Sequence, residues 1–175
     1  MFLWGDKKLI KLNLGCGGFP LEGFINMDSR GDLSEIFNKK HFGKFVILDN
    51  WRWQDGLLFK DNIVDAITES HSLMYLKVEE YQNVFREIYR VLKPGGVFRL
   101  TEDNCERPKE ELLKDGLPWG NPASITGPKM MRSELLKEFD DVKIITSEVT
   151  HFSDNSLIQN NHGTFPRIFH LEVVK

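Results

Sequence analysis

The chain has 175 residues, a length that suits one domain, and we predict a single domain over residues 1–175. Its formal net charge of −3 gives no overall positive field, so nothing indicates a nucleic-acid partner. No apolar stretch approaches the roughly 20 residues of a membrane span. The first residues, MFLWGDKKLI, lack the length and cleavage site of a signal peptide, so we do not expect one. The two isolated cysteines have no disulfide or metal-binding spacing, so we expect a cytoplasmic protein with reduced thiols.

The first part of the chain alternates short apolar runs with polar connections. The predicted strands are residues 8–14, 24–27, 45–48 and 64–68. The period then changes, because Val78, Tyr81, Phe85, Ile88 and Leu92 recur three and four residues apart with charged residues between them. This spacing predicts an amphipathic helix, which the segment LKPGG at 92–96 ends.

The second part of the chain continues the alternation. We predict a strand at 97–101, a helix at 128–139, and strands at 142–149 and 168–174, and we expect His170 to face away from the core. Apolar strands alternating with helices predict an α/β protein with a doubly wound, mostly parallel sheet of seven strands. The polar segment 150–167 has no helical pattern, so we expect the last strand to run antiparallel.

The glycine-rich turn LGCGGFP at 14–20 requires something to approach the backbone closely. Gly15 and Gly17 match the first two glycines of the dinucleotide fingerprint, but Pro20 occupies the position of the third. Only six residues, 18–23, separate this turn from the next strand, whereas a crossover helix needs about ten. Without a helix N-terminus to hold a pyrophosphate, NAD and FAD are not expected, and no Walker motif is present.

S-adenosylmethionine needs the same close approach without a phosphate clamp. Its methionine part can lie against the turn of Gly15, Cys16 and Gly17, and Asp28 follows the second strand, where a carboxylate can accept both ribose hydroxyls. A polar side chain after the third strand, Asp49 or Asn50, can receive the adenine amino group. These positions all lie at carboxyl ends of parallel strands, where open sheets bind their ligands.

Three segments are more specific than the glycine turn alone: LNLGCGGFPLEGFINMD at 12–28, LLFKDNIVDAI at 57–67 and FREIYRVLKPGGVFRL at 85–100. They resemble the class I S-adenosylmethionine-dependent methyltransferases, in particular a small single-domain subgroup similar to methyltransferase type 11. The resemblance runs from residue 9 to about residue 103 and implies a Rossmann-like fold, S-adenosylmethionine as cofactor and methyl transfer.

Two departures from that pattern affect the adenine contact. Leu58 replaces the usual proline, and the segment 50–56 is about three residues longer than usual. The contact therefore stays open between Asp49, Asn50 and Asp55.

Candidate catalytic residues follow the fourth and fifth strands. Ser70 and His71 lie in ESHSLMYL, where cofactor and acceptor meet in this fold, and we expect both to contact the cofactor. His71 could in addition act as a base or line the sulfonium pocket. Asp103 could touch the acceptor, whereas Glu102 and Glu106 are expected to be solvated charges. His151 and His162 lack paired metal-ligand spacing, so no metal site is predicted.

The sequence favours a methyltransferase acting on a small molecule, such as a sugar or another polar metabolite. Segments 103–127 and 150–166 are long for loops, and strand topology brings both above the predicted cofactor, where they could roof an acceptor pocket. Two alternatives remain: another transferase using the same cofactor, such as an aminopropyl transferase, and a cofactor-binding module without activity of its own.

Overall fold

The structure, a computed structural model, describes residues 9–41, 43–106, 126–145, 150–151, 157–158 and 168–175. One sheet contains seven strands: β1 (Lys11–Leu14), β2 (Ile25–Met27), β3 (Val46–Leu48), β4 (Val64–Ser70), β5 (Leu92–Asp103), β6 (Lys143–Ile145) and β9 (Ile168–Val174). Two further short strands, β7 (Thr150–His151) and β8 (Leu157–Ile158), pair with each other. The helices are α1 (Leu33–His41), α2 (Tyr81–Val91) and α3 (Pro128–Leu135).

The sheet order is β3-β2-β1-β4-β5-β9-β6. The first five strands are parallel to one another, whereas β9 runs antiparallel to both β5 and β6. The order reverses between β1 and β4, so the carboxyl ends of these strands border the crevice where open α/β sheets bind ligands. The predicted α/β, Rossmann-like, mostly parallel seven-stranded sheet with an antiparallel last strand is confirmed.

One face of the sheet is apolar and carries α2 and α3. The residues of α2 that repeat every three or four positions are buried, namely Tyr81, Val84, Phe85, Ile88 and Val91. They form one hydrophobic core with the apolar side chains of β1, β4, β5 and β9 and with Met131 and Leu135 of α3. The ring of Phe85 connects the layers, since its centroid lies 5.9 Å from that of Tyr81 and 6.3 Å from that of Phe98.

The other face of the sheet carries a row of polar residues at matching register positions. Asn26, Asn13, Thr68, Arg99 and Glu172 are neighbours across five successive strands. The first four are at most 5% exposed, and Arg99 pairs with Glu172. Apolar and polar side chains therefore alternate along most of these strands, but four of the five polar side chains of this row are buried as well.

Asn26 organises the helix-free connection between β1 and β2. Its amide nitrogen donates to the carbonyls of Leu21, Phe24 and Val46, and its oxygen accepts from Leu21 N and from Asn13 Nδ2 at 2.7 and 2.8 Å. One buried side chain thus satisfies backbone groups that a crossover helix would otherwise satisfy internally. The predicted absence of a helix over 18–23 is confirmed.

Some boundaries differ from the predictions. The helix α1 between β2 and β3 was not predicted. It has only three residues in a helical apolar pattern, Leu33, Ile36 and Phe37. The strand β5 begins at Leu92 rather than 97, with Gly95 at φ +80° turning the backbone. Parts of the predicted strands 8–14 and 142–149 lie outside the described residues, as does most of the two predicted roof segments.

His170 corrects one expectation, since it lies inside the protein rather than facing out. It is 2% exposed, and its Nδ1 is 2.9 Å from Thr101 Oγ1 on the neighbouring strand. Burial, with the charge of Arg99 as a smaller cause, lowers the pKa of His170 to about 4. The error arose because alternation with apolar residues places His170 on the polar face of the sheet, and that face is itself covered.

Arg90 on α2 fixes the segment that precedes β4. Its guanidinium donates to the carbonyls of Leu57 and Phe59 and to Asp61 Oδ1, and it pairs with Glu87 one turn earlier on the helix. We expect Arg90→Ala to lower the free energy of unfolding by about 1.5 to 3 kcal/mol, the range for hydrogen bonds to charged groups. Denaturant unfolding measures this change.

The matched control is Arg86→Ala on the same helix. Arg86 makes one ion pair, with Glu138 at 3.5 Å, and its side chain is 65% exposed. This variant should change the free energy of unfolding by less than about 0.5 kcal/mol. Equal losses for the two variants would mean that the Arg90 hydrogen bonds add nothing beyond an exposed ion pair.

Candidate active site

A cavity of about 970 Å³ opens at the carboxyl ends of β1, β2 and β4. Its walls are the glycine turn after β1, the residues that follow β2, the aromatic segment 51–54 and the turn after β4. The cavity occupies the topological switch point, the usual ligand site of this architecture. The sequence-predicted residues that line it are Gly15, Cys16, Gly17, Asp28, Ser70 and His71.

The glycine turn is closed by a contact with the turn after β4. Gly15 has φ +63°, and a Cβ at this position would lie 2.3 Å from Ser72 Oγ. Gly17 has φ +49°, but a Cβ there would meet nothing within 4 Å. Gly15 is therefore required by both conformation and close packing, whereas Gly17 is required by conformation alone.

Asp28 connects β2 to the glycine turn. One carboxylate oxygen accepts a hydrogen bond from Gly17 N at 2.8 Å, and the other accepts from Arg30 N at 3.0 Å. The residue is 8% exposed and faces the cavity. A carboxylate can accept about four hydrogen bonds, so two acceptor positions remain for hydroxyl groups of a ligand.

Cys16 lies between the two glycines and is 5% exposed. Burial, and next the negative charge of Asp28, raise the pKa of its thiol to about 12. The thiol is therefore protonated at physiological pH and is not a nucleophile. Cys16 is a wall of the cavity rather than a reacting group.

The structure does not bring the side chains of Asp49, Asn50 and Asp55 to the cavity wall. Asp49 accepts from the backbone N and the hydroxyl of Ser34 at the start of α1, so its carboxylate is used in capping that helix. Asn50 has φ +62° and packs against Gly31. Asp55 accepts from Arg52 N at 3.0 Å within a 3₁₀ turn.

An aromatic segment stands where those polar residues were expected. The lining residues here are Trp51, Arg52, Trp53 and Gln54. The Trp51 indole donates to Gly56 O at 2.9 Å, and its ring centroid is 4.9 Å from that of Trp53 at an angle of 62°. In the sequence, Trp51 and Trp53 are unusual for a loop and could stack on adenine or a sugar or serve as hydrophobic cover, and the structure places both of them in the cavity wall.

The structure brings Ser70, His71 and Asp103 together at the ends of β4 and β5. Ser70 Oγ is 2.9 Å from His71 Nδ1, and His71 Nε2 is 3.8 Å from Asp103 Oδ1. His71 has φ +56°, and its backbone N donates to Thr101 O at 2.8 Å. The side chains of His71 and Asp103 are each 14% exposed. Such an arrangement orients an imidazole at a cavity wall and can stabilise its protonated form.

The described residues add neither a metal-binding cluster nor a membrane-spanning helix to this picture. They contain no group of three or more His, Cys, Asp or Glu side chains that could hold a metal ion. None of their helices is long and apolar enough to cross a membrane. The side chains of His151 and His162 lie outside the described residues.

The family model of a methyltransferase domain matches residues 26–100. No curated protein sequence matches the chain.

Solved structures share the fold at low sequence identity. A S-adenosylmethionine-dependent methyltransferase from Archaeoglobus fulgidus has a TM-score of 0.69 at 16% identity, covering 95% of this chain and 86% of that one. A possible histamine N-methyltransferase from Thermotoga maritima has a TM-score of 0.66 at 15% identity, covering 95% and 82%. Phosphoethanolamine N-methyltransferase 2 from Haemonchus contortus, in complex with S-adenosylmethionine, has a TM-score of 0.53 at 19% identity, covering 81% and 36%.

The methyltransferase-domain match over residues 26–100 and the shared fold are consistent with a class I S-adenosylmethionine-dependent methyltransferase. The matched domain is that of an enzyme, and solved structures with this fold contain S-adenosylmethionine or S-adenosylhomocysteine.

The packing of Gly15 on Ser72 gives a test of the turn. We expect Gly15→Ala to lower the free energy of unfolding by more than Gly17→Ala, because both add strain of about 1 to 3 kcal/mol but only the first adds a collision. Denaturant unfolding of both variants, of Ser72→Gly and of Gly15→Ala with Ser72→Gly measures the coupling. Strict additivity of the double variant would show that the collision with Ser72 is not the cause.

Proposed function

We propose that the cavity binds S-adenosylmethionine with its methionine part against Gly15, Cys16 and Gly17 and with its ribose hydroxyls on Asp28. The observation that carries this proposal is the hydrogen bond from Gly17 N to Asp28, which joins the turn and the acid into one surface. The nearly buried carboxylate can accept both ribose hydroxyls while keeping its two backbone donors. Methionine and ribose are adjacent in the cofactor, as these two groups are in the cavity.

The adenine is proposed to lie against the aromatic segment 51–54 rather than on Asp49 or Asn50. Trp53 offers a ring at the cavity wall, and Gln54 offers both an amide donor and an acceptor. The Asp49 carboxylate is already engaged elsewhere, because it accepts hydrogen bonds from Ser34 at the start of α1. The lengthened loop thus substitutes aromatic packing for the usual polar contact.

Methyl transfer is an in-line displacement in which the acceptor forms a bond to the methyl carbon as the bond to sulfur breaks, releasing S-adenosylhomocysteine. We propose that His71 takes up the proton of the acceptor at Nδ1, relayed through the Ser70 hydroxyl 2.9 Å away, and that Asp103, 3.8 Å from Nε2, stabilises the resulting imidazolium. Ser70 orients the ring through Nδ1. An acceptor with a proton to lose, such as the hydroxyl of a sugar or another small polar metabolite in the cytoplasm, suits this arrangement.

The first test of the proposed site is Asp28→Asn. We expect the affinity for S-adenosylhomocysteine to fall at least about tenfold, because a hydrogen bond to a charged group contributes about 1.5 to 3 kcal/mol. Titration calorimetry measures the affinity, with NAD as a ligand that should not bind. Glu22→Gln removes the same charge from a side chain that is 72% exposed and serves as the control. Undiminished affinity in Asp28→Asn would move the ribose elsewhere.

The second test concerns the proposed base. A methyl-transfer screen with radiolabelled cofactor against sugars, other metabolites and RNA identifies an acceptor. With that acceptor, we expect His71→Asn to lower kcat by about 10²- to 10⁴-fold, the usual contribution of a general base. Affinity for S-adenosylhomocysteine is measured in parallel to separate transfer from cofactor binding. An unchanged kcat would leave His71 with a lining role only.

A further inference from the structure

Two acidic side chains are completely buried beneath the turn that follows β4. Glu69 on β4 and Glu102 on β5 are each 0% exposed. They point toward the apolar face of the sheet, since Leu14 of β1 is the register partner of Glu69 and Phe169 of β9 is that of Glu102. Two carboxylates this close in an apolar environment cannot both be ionised without a large cost.

The two acids hold one turn of the backbone in place. Glu69 Oε1 accepts from Ser72 N at 2.6 Å, from Ser72 Oγ at 2.8 Å and from Leu73 N at 3.2 Å. Glu102 Oε1 accepts from Leu73 N at 2.8 Å and from Met74 N at 3.2 Å. These are the first N–H groups of the 3₁₀ turn Leu73–Tyr75, which have no partner within the turn itself.

The two acids meet at Leu73 N, which donates to Oε1 of each of them. Their other oxygens, Glu69 Oε2 and Glu102 Oε2, are buried and accept no hydrogen bond from the described part of the chain. Two carboxyl groups that converge on one buried N–H group repel each other unless one of them carries a proton. Burial raises the pKa of Glu69 to about 7, and burial and the charge of Glu69 raise the pKa of Glu102 well above its ordinary value.

The turn held by these acids is the one that contacts the glycine turn. Ser72 is bonded to Glu69 through its nitrogen and its hydroxyl, and that hydroxyl occupies the space that a Cβ on Gly15 would need. A displacement of Ser72 therefore reaches the cavity wall directly. We infer that Glu69 and Glu102 share a proton and act as positioning residues that hold Ser72 against the glycine turn, so that loss of this proton weakens cofactor binding.

Other groups near the pair do not supply its proton. From α2, the Tyr81 hydroxyl faces the turn and donates to Leu73 O at 3.3 Å. His71 and Asp103 lie near the pair in sequence, but they meet each other at the cavity side. The neighbours from β1 and β9 are the apolar side chains of Leu14 and Phe169.

The sign of the pH dependence follows from the raised pKa values. In the unfolded chain both acids ionise near their ordinary value, so the folded protein binds more protons at neutral pH. The stabilisation is complete below the ordinary value and is lost as the pH rises through the raised values of the folded state. Because a second charge in the pair would displace the turn, the affinity for the cofactor should fall in the same direction.

Glu102→Gln replaces the proton with a permanent donor. Its amide NH₂ can donate to Glu69, and its oxygen can still accept from Leu73 N and Met74 N. Thermal unfolding and affinity for S-adenosylhomocysteine are measured from about pH 6 to about pH 9. We expect the wild-type affinity to fall at least about threefold across this range and that of Glu102→Gln to stay within about twofold of its neutral value.

Further variants separate this inference from the proposed cofactor site on which it rests. The variant Glu102→Ala should bind S-adenosylhomocysteine weakly at every pH. The control Glu79→Gln changes an exposed residue and should keep the wild-type dependence of affinity on pH. Asp28→Asn should weaken the binding of S-adenosylhomocysteine equally at every pH. Unchanged binding in this variant would contradict the proposed cofactor placement, while the unfolding profiles would still test the shared proton. An alkaline loss of stability in Glu102→Gln as steep as in the wild type would overturn the shared proton.

Discussion

The candidate active-site cavity depends on the contact between two turns that follow neighbouring parallel strands. Ser72 after β4 lies so close to Gly15 after β1 that no side chain fits between them. This contact fixes the glycine turn, and within that turn Gly17 N donates a hydrogen bond to Asp28. The acid, the turn and the end of β4 therefore form one connected wall, and a change in any of the three reaches the others.

The short connection from β1 to β2 places an unusual demand on the sheet. Without a crossover helix, the backbone of this connection must find hydrogen-bond partners elsewhere, and Asn26 supplies them from inside the sheet. Its neighbour Asn13 extends the same polar row toward Thr68 and into the cavity lining. One face of the sheet therefore serves as a hydrophobic core, while the other is polar enough to border a ligand.

Sequence reasoning identified the architecture because the apolar runs and the α2 pattern are strong signals. It also placed the glycine turn and Asp28 at the same edge of the sheet, where the structure joins them by a hydrogen bond. It could not identify α1, whose apolar residues are too few to form a stripe, and it could not foresee that Asp49 would cap that helix. A polar residue after a strand has several available partners, and sequence spacing does not distinguish among them.

The buried acids show a different limit of sequence reasoning. Glu102 follows an apolar strand and was expected to be solvated, yet it is fully buried because Glu69 and the Leu73–Tyr75 turn provide its partners. Such a residue is recognisable only when both strands are seen side by side. An acidic residue next to an apolar run should therefore be compared with the acidic residues of neighbouring strands before it is assigned to the surface.

The Trp51–Trp53 wall has a practical consequence for anyone working with this enzyme. The two indole rings are in contact, and Trp53 forms part of the cavity lining. Indole emission depends on the polarity and stacking of its surroundings, so a ligand that fills this part of the cavity should change the intrinsic fluorescence of the protein. Occupancy can then be followed optically, without a label and before any methyl acceptor is known.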